Sequence, residues 1–203
     1  MVAALELADM RGDFSMRALG ERLGVDPMAV YRHFRDKDAL LDALVDAALQ
    51  DLEPGPHVAG TPIERLRQLC LDFRRALSAH PGVAHRLRVT LPTLGPHVIG
   101  LTEASLGLIH QAGVELAEAP RVFTLLIRFV TAGVEEEEQI LAHNDGEQAW
   151  RAAVTSRYSS VSSGEYPHVT AMAAELDRSS FQDDFEYGLD LLLDAVARRG
   201  ASA

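Results

Sequence analysis

The sequence contains one cysteine, Cys70, and one tryptophan among its 203 residues. A single thiol cannot form an intrachain disulfide or a thiolate metal cluster, which is typical of proteins from reducing compartments. No apolar run reaches the roughly 18 residues that a membrane-spanning helix needs, and no secretory signal pattern opens the chain. We therefore expect a cytoplasmic protein that has no contact with the membrane.

The sequence also lacks the motifs of several catalytic classes. It has no glycine-rich phosphate loop, no nucleophile elbow around a serine and no HExxH metal-binding pattern. Scattered histidines and glutamates could still form a hydrolytic site, so an enzyme remains an alternative. The prediction is a protein without enzymatic activity and without a required cofactor.

Excess positive charge is absent as well, since the formal net charge is -11. Taken alone, this value argues against nucleic acid as a partner. Between Ser15 and Lys37, however, five cationic residues stand against three anionic ones. A phosphate responds to charges within a Debye length of roughly 8 Å, so the local excess matters more than the total.

This stretch, Ser15 to Lys37, predicts two short helices joined by a tight turn. Ser15 is a suitable N-cap for the first helix, and Gly24 ends it. Asp26 and Pro27 form the N-cap and first position of the second helix. The apolar positions that would face inward are Met16, Leu19 and Leu23 in the first helix and Val30 and Phe34 in the second. The pattern is that of a helix-turn-helix.

The outward face of the second helix carries side chains suited to a DNA major groove. It offers an apolar wedge for thymine methyl groups, a guanidinium that can bind guanine, and donors for phosphate. Its residues are Pro27, Met28, Ala29, Tyr31, Arg32 and His33.

The segment GVDPMAVYRHFRDKDALLDAL resembles the DNA-binding domain of TetR-family transcriptional regulators, in particular the tetracycline-repressor subgroup. The resemblance extends from Ala3 to Leu52 and implies that the chain begins inside a longer first helix. By position in the motif, Arg17 and Arg32 are implied to read guanine, with Pro27 and Met28 as apolar base contacts. Ser15, Tyr31, His33 and Lys37 are implied to bind phosphate.

Beyond this segment the pattern is helical, so we predict an all-α fold. Glu53 to Pro62 is rich in proline and glycine and predicts a boundary between a DNA-binding domain, 1–52, and a larger helical ligand-binding and dimerisation domain, 61–200. Capping boxes at Thr61 and Ser180 predict helix starts. The predicted helices run to His80, from Pro96 to Gly113, from Pro120 to about Asn144, and from Phe181 to Arg199. The serine-rich segment from Thr155 to Pro167 predicts a mobile loop.

His80-Pro81, Tyr166-Pro167 and the ending FEYGLDLLL resemble the C-terminal domain of the same subgroup. This resemblance implies a homodimer in which the long helix near 120–144 and the C-terminal helix, 181–199, pair with their copies as a four-helix bundle. It also implies a small-molecule effector. A metal held with the ligand by a glutamate and by histidines such as His85 and His110 is a further possibility of that subgroup.

The long helix carries a polar stripe on an otherwise apolar surface. One interpretation is a solvated stripe with pairing along the helix. The other is that the stripe lines a pocket, where a ligand satisfies its polar groups. The stripe consists of Arg121, Thr124, Arg128, Thr131, Glu135 and Glu138, and the candidate effector residues are His85, His110, Thr124, Arg128, Thr131 and Glu135.

Together these patterns predict a ligand-responsive regulator, most simply a repressor. It would bind double-stranded DNA at a palindromic operator as a homodimer and be released by a small molecule. The alternative from another class is a helical adaptor that binds proteins and has lost DNA binding.

Overall fold

The computed structural model describes residues 15–52, 59–80, 83–84, 87, 95–176 and 178–201. In these parts of the chain all regular secondary structure is helical, as predicted. None of the helices there is long and apolar enough to cross a membrane. The helices are α1 Met16–Leu23, α2 Pro27–Tyr31, α3 Lys37–Ala48, α4 Pro62–Ala79, α5 Pro96–Gln111, α6 Ala119–His143, α7 Glu147–Ser159, α8 Pro167–Leu176 and α9 Phe181–Gly200. The expected fragment of a first helix lies outside the described residues.

Local side-chain caps fix where the first helices begin and end. Ser15 Oγ accepts a hydrogen bond from the Ala18 amide at 3.1 Å. Gly24 ends α1 in the left-handed conformation at φ 66°, which glycine adopts without a steric cost. Asp26 caps α2 through the Met28 amide at 2.8 Å. The predicted helix-turn-helix is therefore confirmed, with α1 packed against α2.

The second helix is shorter than the sequence predicts. Regular α-helix ends at Tyr31, so Arg32 and His33 lie in the turn that follows. The His33 and Phe34 amides both donate to the Val30 carbonyl, which tightens the chain there. Phe34 still packs partly buried against the small core. Asp36 then caps α3, because its carboxylate accepts from the Ala39 amide at 2.7 Å.

Two separate apolar cores meet inside α3. The smaller belongs to residues 15–44, which we call the head, and its described buried members are Met16, Leu19, Val30, Leu40 and Leu44. The larger belongs to residues 45–201, which we call the body, and already includes Val45 and Leu49 of α3. Consecutive residues of one helix thus belong to different cores.

The body is built around α6, which packs against α4, α5 and α9. Phe129 of α6 stacks on Phe185 of α9 with ring centroids 5.0 Å apart. A Cβ on Gly188 would lie 2.8 Å from the Phe129 ring, so a side chain at position 188 would have to displace that ring. The apolar first half of α6 contributes Leu126 and Val130 to the core of the body.

A partly buried ion pair links three helices of the body. The Arg74 guanidinium on α4 donates to the Glu137 carboxylate on α6 at 2.7 Å and to the Gln182 side-chain oxygen at 2.6 Å. It also lies 4.7 Å from the centroid of the Phe185 ring. Burial raises the pKa of Glu137 above its usual value, against the opposing effect of Arg74.

The predicted mobile loop from Thr155 to Pro167 is wrong at its ends, because only residues 160–166 lie outside the helices. Helix α7 continues to Ser159, α8 starts at Pro167, and the two helices pack against each other. The cause is tertiary. Arg151, buried in α7, donates to the Leu176 carbonyl at the end of α8 and to the Asp184 carboxylate on α9. Such anchoring stabilises helices that weak local patterning does not predict.

Candidate functional site

The outer surface of the head presents the side chains that the sequence assigns to DNA. Met28 is 64% exposed and Tyr31 46% exposed, although both are large and partly apolar. Arg32 and His33 are also exposed, and Ala29 is half-buried. Pro27 occupies the first position of α2, and its side chain lies outside the described part. A folded domain that leaves such a set in solvent has a surface suited to a partner.

Arg17 and Lys37 border this surface on the two flanking helices. Arg17, on the first turn of α1, uses its Nε to donate to Glu21 at 2.9 Å. Its side chain is 81% exposed. Lys37 is the first residue of α3 and is half-buried, while Ser15 caps α1. These positions combine cations with the N-terminal ends of helices, where backbone N–H groups favour phosphate.

The body contains a cavity of about 430 Å³ between α4, α5 and α6, below the end of α3. This volume is in the usual range for small-molecule sites. The described wall is almost entirely apolar, with Cys70, Thr102, Glu103 and Ser105 as its polar members. The apolar lining residues are Leu49, Leu52, Leu66, Leu69, Phe73, Leu87, Val98, Ile99, Leu101, Phe123, Leu126, Ile127 and Val130.

The hydroxyl groups of this wall are already engaged within α5. Thr102 donates to the Val98 carbonyl at 2.8 Å, and Ser105 donates to the Leu101 carbonyl at 2.7 Å. Both hydroxyl oxygens can still accept a hydrogen bond. Burial raises the pKa of the Cys70 thiol to about 12, so it is a neutral wall group at ordinary pH.

The candidate effector residues that the structure describes do not line this cavity. His110, Thr124, Arg128, Thr131 and Glu135 are all missing from the described cavity wall. Arg128 and Thr124 face solvent, whereas Thr131 and Glu135 are buried, so the polar stripe is neither fully solvated nor a cavity wall. His85 lies outside the described residues.

The described residues include no group of three or more histidine, cysteine, aspartate or glutamate side chains placed to hold an ion. His110 Nδ1 lies 3.1 Å from the Val114 carbonyl oxygen.

Sequence reasoning missed the cavity because its wall resembles a core. Leu66, Leu69, Cys70 and Phe73 recur at helical spacing, which predicts a filled core as readily as a cavity wall. A weak signal is present in α5, because it carries two apolar stripes and both sides are then expected to be covered: Val98, Leu101 and Leu108, and Ile99, Leu106 and Ile109. Ile99 nevertheless remains 51% exposed and lines the cavity.

Comparison with known proteins decides the family. Residues 54–199 match the family described as tetracyclin repressor-like, C-terminal domain, and residues 1–44 match that of bacterial regulatory proteins, tetR family. The chain belongs to the TetR family. The resemblance drawn from the sequence is thereby confirmed for both parts of the chain.

Individual TetR-family proteins match over nearly the whole chain. The class A tetracycline repressor from transposon 1721 of Escherichia coli is 31% identical over 97% of this chain and 88% of its own length. The repressor DrrR1 of Streptomyces coeruleorubidus is 27% identical over 99% of this chain and 78% of its own. Among solved structures, Streptomyces coelicolor ActR in complex with actinorhodin matches with a TM-score of 0.83 at 25% identity, covering 98% of this chain and 95% of ActR.

Membership settles the broad class of function. TetR-family proteins are DNA-binding transcriptional regulators without enzymatic activity, and the relatives named above include repressors. The exposed helix-turn-helix of the head is the part of this chain that corresponds to the family's DNA-binding domain.

Proposed function

We propose that this TetR-family protein is a repressor that binds a near-palindromic operator as a homodimer and is released when a small molecule fills the cavity. The observation that carries the proposal is the joining of an exposed helix-turn-helix and an apolar cavity through one helix, α3. The protein would act in the cytoplasm, where bacterial DNA lies.

The exposed side chains of the head support specific DNA contacts. In this proposal Arg17 and Arg32 bind guanine, and Met28, Pro27 and Ala29 contact thymine methyl groups. The side chains assigned to phosphate are Ser15, Tyr31, His33 and Lys37.

Exposed apolar residues on α6 and α9 support a homodimer. Leu125 on α6 is 48% exposed, and on α9 Tyr187 is 70% and Leu191 is 52% exposed. Tyr187 and Leu191 are four residues apart and therefore lie on one helical face. Because α6 packs on α9, these faces can pair with their copies in a four-helix bundle. Leu191→Asp should yield a monomer by light scattering, whereas Leu141→Asp, at an exposed position near the far end of α6, should leave a dimer.

The cavity wall indicates the chemistry of the effector. A ligand that fits must be mainly apolar, with a few polar groups that can donate to Thr102, Ser105 or Glu103. ActR has been solved with actinorhodin bound. Actinorhodin is therefore the first probe to test as an effector.

The DNA proposal is tested by selecting bound duplexes from a random library with the full chain at two salt concentrations. An enriched near-palindrome, with half-sites separated by about one helical turn or a multiple of it, is the expected result. The logarithm of affinity should fall with the logarithm of salt concentration, with slope near -0.9 for each phosphate contacted. No enrichment at either concentration would overturn the proposal and favour the protein-binding adaptor.

The effector proposal is tested at Cys70, whose thiol lines the cavity. Because its pKa is about 12, alkylation by iodoacetamide at pH 8 should be at least about a hundredfold slower than that of a free cysteine. Actinorhodin that enters the cavity should slow labelling further and weaken binding to the selected operator. Binding that leaves Cys70 labelling unchanged would place the ligand elsewhere.

A further inference from the structure

An aspartate from the head-bearing helix caps a helix of the cavity wall. Asp46 of α3 accepts hydrogen bonds through Oδ1 from the backbone amides of His97 at 2.9 Å and Val98 at 3.1 Å. Its Oδ2 lies 2.8 Å from His97 Nδ1. These contacts join positions 51 and 52 residues apart in sequence. Asp46 therefore binds backbone N–H groups in the first turn of α5 that have no hydrogen-bond partner within the helix, a position where a carboxylate is favoured.

The Asp46 carboxylate lies so close to the backbone of α5 that only glycine fits at position 95. Gly95 is the N-cap residue of α5 and offers no side-chain cap of its own. A Cβ on Gly95 would lie 2.2 Å from Asp46 Oδ1, far below any real contact distance. The Asp46 side chain is only 13% exposed, unlike an ordinary surface acid. Glycine at position 95 and aspartate at position 46 thus form one tightly fitted joint.

The same joint touches both functional regions. Two residues before Asp46 on the same helix α3, Leu44 is a buried member of the head core. On the other side, Val98 gives its amide to Asp46 and its side chain to the cavity wall. A molecule that contacts Val98 therefore contacts a residue held directly by the head-bearing helix.

We propose that Asp46 is a positioning residue that couples the cavity to the orientation of the DNA-binding head by holding the first turn of α5. This inference rests on the proposed function, because it assumes that the cavity receives the effector. An occupant that shifts α5 at Val98 displaces Asp46, and α3 turns the head with it.

A plain stabilising cap would predict something different. Removing such a cap lowers the melting temperature but leaves the head orientation and its response to the cavity unchanged. The decisive readouts are therefore the distance between the two heads and the dependence of operator affinity on cavity filling. Neither readout should change through loss of stability alone while the protein remains folded.

The first experiment measures head orientation without DNA or effector. A spin label at Val25→Cys, in a Cys70→Ala background, reports the distance between heads by pulsed double electron–electron resonance. Asp46→Ala should broaden or shift this distance distribution. Asp51→Ala, which removes an exposed acid just beyond α3, is the matched control and should leave the distribution unchanged. An unchanged distribution in Asp46→Ala would overturn the proposal.

The second experiment uses Thr102→Trp, whose large side chain fills the cavity from α5, as a substitute for the effector. In the otherwise unchanged chain it should weaken binding to the selected operator by about tenfold, within the usual range of allosteric coupling. In Asp46→Ala the same substitution should change operator affinity less than about twofold, because the coupling is absent. A full tenfold loss in Asp46→Ala would overturn the proposal.

Two further variants test the fit of the joint. Asp46→Asn keeps an oxygen acceptor for the two amides and should retain most of the coupling. Gly95→Ala should weaken the coupling by itself but add nothing to Asp46→Ala, where the carboxylate that it displaces is gone. Additive effects of the two changes would contradict a shared contact.

The outcomes separate this inference from the proposed function. If Thr102→Trp leaves operator affinity unchanged in the chain with Asp46 intact, the effector function of the cavity fails. The resonance result then decides the positioning role of Asp46. If the label gives no distance between subunits, the homodimer fails instead. A second label at Gln111→Cys, at the end of α5, then measures the same head orientation within one chain.

Discussion

The head and the body of this TetR-family protein are stabilised to different extents and by different means. In the described residues the head buries five hydrophobic side chains, whereas the body core has nineteen. Ion pairs within the head are exposed, as shown by side-chain exposures of 81% and 63% for Arg17 and Glu21. In the body, Arg74 and Glu137 are only 13% and 19% exposed.

This contrast teaches where the protein can change shape. Local unfolding and rigid displacement require least free energy where few apolar contacts must break. The head has the smaller core, so it should unfold locally before the body and its cavity do. Five predictions follow from this contrast, given from the largest expected effect to the smallest.

The difference in stability between head and body is tested most directly by replacing one core leucine in each region with alanine. Leu40 and Leu66 are both 1% exposed, so either substitution by alanine should lower the free energy of unfolding by about 2–5 kcal/mol. Leu40→Ala should abolish operator binding and lose helical circular dichroism before the fluorescence of Trp150, which lies in the body, changes. Leu66→Ala should shift both signals together. Coincident transitions in Leu40→Ala would show that head and body unfold as one unit.

The ion pairs of the two regions should also contribute different amounts to the free energy of unfolding. Arg74→Met leaves Glu137 in a partly buried site without its cation, which should cost about 3 kcal/mol of unfolding free energy at pH 7. Arg17→Met in the head should have no measurable effect on stability.

The loss in Arg74→Met should depend on pH with a definite sign. Burial raises the pKa of Glu137, so protonation favours the folded state and ionisation opposes it. The destabilisation should therefore grow as pH rises through that pKa and shrink at acid pH. Urea unfolding at pH 4.5 and 8 measures this, and an equal loss at both values would contradict the assignment.

Contacts to DNA bases and contacts to DNA phosphates should respond differently to substitutions in the head. Arg17→Ala should relax discrimination at one base pair by about 1–3 kcal/mol. Lys37→Ala should weaken operator and random duplexes alike and reduce the salt slope by about one phosphate. Affinities for the operator, its single-base variants and random DNA at two salt concentrations provide the measurement. Equal losses on all duplexes in Arg17→Ala would rule out its role as a base reader.

The smallest difference should appear at the helix caps. Asp36→Ala removes the cap of α3 in the head, and Thr61→Ala removes half of the capping box of α4 in the body. Each should cost about 1 kcal/mol of unfolding free energy. Amide hydrogen exchange should rise in the head for Asp36→Ala and in α4 for Thr61→Ala. If hydrogen exchange also rose in the other region, head and body could not be treated as separately stabilised.

The sequence was sufficient wherever the determining interaction is local. Ser15, Asp26 and Asp36 cap helices that begin one residue later, and the capping boxes at Thr61 and Ser180 form as expected. Each of these signals lies within three residues of the backbone group that it satisfies. The family resemblance depended on the same dense local motif and was confirmed.

Features created by long-range contacts could not be predicted in this way. The packing of α7 and α8 depends on Arg151, whose two Nη atoms donate to partners 25 to 33 residues away. The cavity wall has the same leucines and valines as a filled core, so composition does not distinguish them. The sequence predicts that Asp46 is a solvent-exposed acid on α3, because Gly95 comes into contact with it only in the folded chain.

The adjacency of Leu44 and Val45 has a consequence for how such proteins can be recombined. An α-helix turns by about 100° per residue, since 3.6 residues complete one turn. Inserting or deleting one residue at this junction would swing the recognition surface by that angle while both cores kept their own residues. Exchange of recognition segments between relatives should therefore succeed only when the helical phase across positions 44 and 45 is preserved, whatever the lengths of the surrounding loops.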